Sequence, residues 1–302
     1  MYIGLDVGAT KIAAGLVTRQ GKILKKKIFK TQVQKGKKII LKNIIRAAEN
    51  VWSPKVNAVG IGMAGQCNFK TGIFLSGPNF PKNFKNIKIK KILENRFKVP
   101  TSLDNDARCF TLAESIFGVG KNYNNIIGIT IGTGIGSGII INKKIYRGKN
   151  NTAGEIGHMS LDSSSPLICS CGRLGHFEAL CSGRAMINFY KRLTGKTKTT
   201  FEIQKLAKGG DKEAQKVNTL LSKYLGLGLT NVIHIFNPEI IIIGGGLAKI
   251  KELWRPALRK IKRGVIYNSL KQTKILKSKL SEDAGILGAA LLCLEIGNLP
   301  VR

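Results

Sequence analysis

The sequence predicts an α/β protein of two related domains that face each other across a cleft. Three observations predict it. Strand-like apolar runs alternate with segments of helical spacing along all 302 residues, the pattern of sheets covered by helices. Two segments, MYIGLDVGATKIAAGLV and IIGITIGTGIGSGIII, share one plan: strand, glycine turn with a hydroxyl residue, strand. Each opens a half that continues into helices and a buried strand, as in VNAVGIGMAG and NPEIIIIGGG.

Taken in order, MYIGLDVGATKIAAGLVT reads as two strands around a tight glycine turn, and GKILKKKIFKTQ as a third strand. KKIILKNIIRAAENVW has apolar residues three and four apart, so it is a helix. VNAVGIGMAG is a buried strand, CNFKTGIFLSGPNFP a short hairpin and loop, and IKIKKILENRF a helix. VPTSLDNDA is a strand running into the helix ARCFTLAESIFG. A glycine hairpin at 126–147 and a cysteine-bearing loop region follow, then the helices SGRAMINFYKRLTG and AQKVNTLLSKYLGLGLTNVIHIF. NPEIIIIGGGLA and TKILKSKL are strands, and EDAGILGAALLCLEIG closes the chain as a helix.

Composition narrows the class. Hydrophobic residues make up 43% and mean hydropathy is +0.00, which describes a folded soluble protein with ample core. Six cysteines are too few for a disulfide scaffold in a chain this long. The first strand carries Asp6 with Lys11 close behind, unlike a secretory leader, so a reducing cytoplasmic setting is expected. Residues 122–142 carry no charge, but their glycines and threonines favour two strands and a turn over a membrane helix. No membrane association is expected. Net charge is +33, with no acid between residues 7 and 48 and a second basic zone from Lys249 to Lys279. Such charge attracts polyanions. The alternative is a general lysine excess on solvated faces, and no aromatic-interleaved or arginine-rich motif accompanies it.

Among glycine motifs, GIGMAG at 60–65 matches G-x-G-x-x-G, yet a dinucleotide site needs a helix next and the sequence supplies a hairpin. No P-loop pattern occurs. Two glycine turns remain. In DVGATK, Gly8 permits close approach of a guest while Thr10 and Lys11 can donate to anionic oxygens. In GTGIGSG, Gly132, Gly134 and Gly136 expose amides and Thr133 adds a hydroxyl. Facing each other, such nests would clamp a polyphosphate; taken singly, each could be an ordinary hairpin. LDNDA at 103–107 ends a buried strand with two carboxylates and an amide, where α/β folds place chemistry. A carboxylate there can take a proton from a hydroxyl; alternatively Asp104 or Asp106 caps the next helix.

The stretch CSCGRLGHFEA, with GEIGH upstream, gathers Cys169, Cys171, His158 and His176, a two-sulfur, two-nitrogen set suited to structural zinc. Chance accumulation in a loop is the alternative. Glu155 and Glu178 flank these ligands, and a metal there would orient both carboxylates. His234, on an apolar helix, is expected in the core.

Together these residues resemble the ROK family of sugar kinases and repressors, almost end to end. DVGATK is similar to the family's first phosphate turn, LDNDA to its catalytic strand end, GITIGTGIGSGIIINKKIYRGKNNTAGEIGH to its signature, CSCGRLGHFEALCSG to its zinc loop, and NPEIIIIGGG to its adenosine-side strand. The resemblance implies a two-domain, actin-like (ribonuclease H-like) ATPase fold, with ATP and a hexose in an interdomain cleft. Expected domain limits are 1–107 plus 285–302, and 108–284 with the zinc loop. It implies Asp106 as the base that deprotonates the sugar, and Asn79, Asn105, Glu155, His158 and Glu178 as sugar contacts. Asp6 matches the position near Mg²⁺, and Gly244 and Gly245 join the two turns on the ATP side. His158, Cys169, Cys171 and His176 are the implied zinc ligands; His176 stands where the family has a third cysteine. Ala9 and Ala64 replace a frequent glycine and proline without touching the chemistry.

The expected activity is ATP-dependent phosphorylation of a hexose 6-hydroxyl, glucose first, with N-acetylglucosamine or N-acetylmannosamine kinase as alternatives. A ROK-type regulatory or nucleic-acid-binding protein is the reading from another class. Family repressors carry an N-terminal helix-turn-helix, whereas the first strand here begins at Tyr2, so no sequence-specific nucleic-acid partner is expected. A homodimer is the family expectation.

Overall fold

The computed structural model describes residues 1–296; residues 297–302, the end of the expected small domain, lie outside the described residues. The chain packs as two units. One comprises Met1–Gly128, Gly138–Gly154 and the segment from Ser278 onward; the other comprises Ile129–Ser137 and Glu155–Lys277.

In the first unit, β1 (Tyr2–Val7), β2 (Lys11–Val17) and β3 (Ile23–Lys30) form an antiparallel meander. β1 and β2 are apolar runs buried along nearly their whole length, while β3 is exposed and lysine-rich. Helix α1 (Lys37–Val51) buries the stripe Ile40, Ile44, Ala47, Ala48 and Val51, the three- and four-residue spacing read from the sequence. β4 (Ala58–Met63) pairs parallel to β1. β5 (Gln66–Asn68) and β6 (Ile73–Ser76) make the short hairpin that rules out a dinucleotide-binding helix after GIGMAG. Helix α2 (Ile89–Phe97) leads to β7 (Thr101–Asn105), parallel to β4, and directly into α3 (Asp106–Ile116). The sheet order is β3-β2-β1-β4-β7.

β8 (Ile126–Ile131) and β9 (Ile135–Ile141) divide between the units at Gly128 and Gly138, and β10 (Lys144–Tyr146) extends them. The second unit continues with the single turn α4 (Phe177–Leu180), then α5 (Gly183–Thr194), α6 (Thr200–Lys208) and α7 (Lys212–Phe236). It ends with β11 (Ile240–Gly244), α8 (Lys251–Gly264) and β12 (Lys274–Lys277). The second sheet has the order β10-β9-β8-β11-β12. Both sheets therefore follow one scheme, a three-strand meander with two strands added beside its first strand. The internal duplication suggested by the two glycine hairpins is real.

Two helices go beyond the sequence reading. α6 starts at a capping box in which Thr199 and Glu202 satisfy each other's backbone. α8 buries Leu253, Trp254, Ala257 and Ile261 behind the basic zone, which lysine and arginine had made look featureless. No described helix is long and apolar enough to cross a membrane.

The last helix, α9 (Ala284–Ile296), is apolar on every side from Ala284 to Leu294, and that stretch is buried in the first unit. It lies against the sheet at glycines. A Cβ on Gly4 would fall 2.0 Å from the Ile286 carbonyl oxygen, and one on Gly60 1.7 Å from that of Ala289. On the helix itself, a Cβ on Gly288 would fall 1.7 Å from the Cys109 carbonyl oxygen of α3. No side chain can be admitted at these points without moving a backbone. Gly60→Ala is expected to lower unfolding free energy by about 2 kcal/mol or more, measured by urea denaturation. A change below a few tenths would contradict this packing.

Candidate functional site

The predicted residues of the first unit gather at the carboxyl ends of parallel strands. Register places Asp6 of β1 beside Gly62 of β4, and Gly62 beside Asp104 of β7. Two glycines make room there. Gly62 leaves space for Asp106 and Cys109, and Gly285 at the start of α9 sits where a Cβ would fall 2.4 Å from Asp6 Oδ2. Asp106 is the first residue of α3, whose N-terminal dipole favours an anion. Burial, then the Asp106 carboxylate, raise Asp6 to about 7, against the pull of Lys11. Two carboxylates thus share one region of low polarity, an arrangement that favours a shared cation.

The N-cap of α3 is Asn105, not either aspartate. Its side-chain oxygen accepts from Ala107 N–H at 2.9 Å and Arg108 N–H at 3.3 Å, and its amide donates to Gly65 O at 3.0 Å. Gly65, at φ +152 and with a Cβ position 2.4 Å from Ser76 O, is a place for glycine alone. Asp104 is fully buried and paired with arginines. The capping role thus belongs to neither acid, and the strand end is held instead from Gly65, in the turn between β4 and β5.

The DVGATK turn is closed by Gly8 N–H to Lys11 O at 3.0 Å and by the Thr31 hydroxyl to Gly8 O at 2.6 Å. Thr10 and Lys11 face solvent. Asn79 is also exposed, next to Phe80, which packs with Phe74 and Phe84 and fixes that loop.

In the second unit the GTGIGSG turn is held from outside. Gly183 N–H donates to Gly132 O at 2.8 Å and Arg184 N–H to Thr133 O at 3.3 Å, so the start of α5 anchors it. Ile135 N–H donates to Glu178 Oε2 at 2.9 Å, and a Cβ on Gly134 would fall 2.1 Å from that oxygen. Gly136 lies inside β9. Gly244 ends β11, and Gly245, at φ +85, passes so close to Ile131 that a Cβ would fall 2.4 Å from its carbonyl oxygen.

His158, Cys169, Cys171 and His176 converge, their donor atoms all within 4.8 Å of one another. Cys169 Sγ lies 3.4 Å from His158 Nδ1 and Cys171 Sγ 3.3 Å from His176 Nδ1. Zinc bonds of about 2.3 Å to sulfur and about 2.05 Å to nitrogen at tetrahedral angles put such atoms roughly 3.5 Å apart. The donor set fits a closed structural zinc site. Burial pushes the Cys169 thiol up to about 11, and burial, then His158, hold His176 below the usual imidazole range. A metal bound here must therefore release the thiol proton, while the imidazole is already neutral. Glycines shape the loop: Gly172 turns at φ +87, and Gly175, at φ +64, passes where a Cβ would fall 1.9 Å from Asp162 O.

Glu178 joins the two features. Its Oε1 accepts from the Ser170 hydroxyl at 2.5 Å, inside the cysteine loop, while Oε2 holds the glycine turn. Glu155 is exposed and stands 3.9 Å from His158 Nε2. His234 departs from expectation: it is exposed near the end of α7, accepting from Ile266 N–H at 3.4 Å, because the apolar stripe of that helix leaves its position on the outside.

The profile of the ROK family matches residues 2–296. The chain belongs to the ROK family. A curated relative, the glucokinase of Thermotoga maritima, is 33% identical over 310 residues, 97% of each chain. The structure of a ROK hexokinase from Thermus thermophilus is similar with a TM-score of 0.86 at 30% identity, covering 98% of this chain and 99% of that one. That of a ROK family glucokinase from Streptomyces griseus, in complex with glucose and AMPPNP, gives 0.83 at 31% identity, covering 96% and 98%. The ROK fold is the two-domain actin-like ATPase fold, and the repeated sheet order is its mark in this chain.

The raised Asp6 sets a pH dependence. Its folded value, about 7, lies above its unfolded value, 3.8, so the folded state binds the proton more tightly. That contribution to stability is complete below 3.8 and is lost as pH rises through about 7, with a slope of at most about 1.4 kcal/mol per unit. Metal-free Asp6→Asn should gain thermal stability over the parent at pH 8, and the gain should shrink toward pH 5. A gain of equal size at both pH values would contradict the assignment.

Proposed function

We propose that this ROK protein transfers the γ-phosphoryl group of ATP to the 6-hydroxyl of a hexose, with glucose as first substrate. That it is a sugar kinase rests on whole-length similarity to ROK glucokinase and hexokinase chains. The observation that carries the mechanism is the Asp6–Asp106 pair at the ends of parallel strands.

In this reading Asp106 accepts the proton of the sugar hydroxyl as its oxygen attacks phosphorus. The N-terminal dipole of α3 favours negative charge at Asp106, and the Asn105 cap keeps the carboxylate aimed. Asn79, Asn105, Glu155, His158 and Glu178 hold the sugar hydroxyls. The DVGATK and GTGIGSG turns, with Gly244 and Gly245, receive ATP through amides, Thr10, Thr133 and Lys11. Asp6 would hold Mg²⁺, which would supply the neutralisation of phosphate charge that is most of what phosphoryl transfer requires. His158, Cys169, Cys171 and His176 would hold a structural zinc, which would fix His158 on one side and, through Ser170, Glu178 on the other.

A coupled ATP assay over glucose, mannose, fructose, N-acetylglucosamine and N-acetylmannosamine tests the activity. Glucose should give the highest kcat/KM; inactivity on all five would end the proposal, and preference for an N-acetyl sugar would move it to that substrate. Asp106→Asn should lower kcat by about 10³-fold, and full activity in that variant would remove Asp106 as base. Metal analysis of purified protein should find close to one zinc per chain, and Cys171→Ser less than half of that. A parent chain with less than about half an equivalent would count against the metal.

A further inference from the structure

We propose that Arg147 is a positioning residue for the reaction: through Asp104 it fixes the strand end that carries Asn105 and Asp106. The inference rests on the kinase reading above. Its basis is an ion-pair cluster in the first unit that the activity does not itself require. Asp104, fully buried in β7, accepts from Arg108 Nη1 at 2.8 Å on Oδ1 and from Arg147 Nε at 2.7 Å on Oδ2. Oδ1 also accepts from Asn105 N–H at 2.8 Å. One carboxylate therefore ties down the backbone of Asn105, the residue before the proposed base.

Arg147 is held on its other side too. Its Nη2 donates to Glu295 of α9 at 2.6 Å, and its guanidinium lies 3.7 Å above the Phe69 ring. Arg108 Nη2 donates to Asn151 O at 2.7 Å and Ala153 O at 3.2 Å, and the Asn151 amide donates to Cys67 O at 2.6 Å. The strand end, the first turn of α3 and residues 147–151 meet at the Asp104 carboxylate, and Asn151 and Arg147 tie β5 and α9 to it.

Stability alone is a poor reason for such a cluster. Desolvating two arginines and an aspartate offsets most of their attraction, and well-packed apolar side chains would serve a core as well. What the cluster supplies is one defined geometry, because every bond depends on the orientation of the others. Arginine suits Arg147's place because its planar fork reaches Asp104 and Glu295 together, which a lysine ammonium cannot reproduce at both distances.

The test is steady-state kinetics of Arg147→Lys on the best sugar, in the parent and in the Asp106→Asn background. A base displaced by about 1 Å costs up to about 100-fold. Arg147→Lys should therefore lower kcat by about 10- to 100-fold and leave KM for ATP within about twofold. In the Asp106→Asn background the same change should cost less than about twofold, because there is no base left to misplace. Unchanged kcat, or losses that multiply in the double variant, would overturn the proposal. Glu295→Gln, which keeps the Arg147–Asp104 pair, should lower kcat by about 3- to 10-fold. If Arg147→Lys does not fold, that variant decides: kcat equal to the parent's would overturn the inference. A parent inactive on every sugar refutes the kinase reading and this inference with it, whereas an active parent with indifferent variants refutes this inference alone.

Discussion

A helix can lie directly on a sheet only where the strands beneath it carry no side chains, and α9 meets that condition at Gly4 and Gly60. The consequence reaches the chemistry. Because the helix backbone sits on the strand backbones, its first turn arrives beside Asp6, and Gly285 is the residue small enough to stand there. Gly288 and Gly62 bring α3 equally close, placing Asp106 near enough to Asp6 for the two charges to feel each other. Steric exclusion sets the electrostatics: crowded backbones produce the paired carboxylates.

The second unit reaches order by a different route. Its glycine turn and cysteine loop have little apolar surface of their own, so hydrogen bonds and the four-donor cluster hold them. Glu178 is the common member, with one oxygen on each. Change in the cysteine loop is therefore transmitted to the turn through a single carboxylate, a short and directional link. In the first unit close backbone packing adds to the ion pairs around Asp104, whereas the turn and loop of the second unit rest on polar bonds, although the two sheets share a strand order.

The sequence disclosed what local patterns encode. Apolar period, glycine turns and strand ends located nearly every strand, and DVGATK, LDNDA and the Cys/His set were visible because each is contiguous or nearly so. Misses followed from relations that local patterns do not carry. α8 was hidden because a basic face over a narrow apolar stripe resembles a charged loop, although Leu253, Trp254, Ala257 and Ile261 keep helical spacing. α6 announced itself only by Thr199 and Glu202. His234 has apolar neighbours in the sequence, but its side of α7 faces outward, which follows from how the helix packs and not from composition. The cap of α3 went to Asn105 because Asp104 is claimed by Arg108 and Arg147, and no reading of five residues can show a partner more than forty positions away.

The excess of lysine also has a place in this architecture. β3 is the outer strand of the first sheet, and its run Lys25, Lys26, Lys27 and Lys30 lines an edge where unpaired backbone groups would otherwise invite a strand from another molecule. A second chain approaching that edge meets a row of like charges before any backbone bond can form. Such repulsion disfavours edge-to-edge pairing and weakens as ionic strength rises.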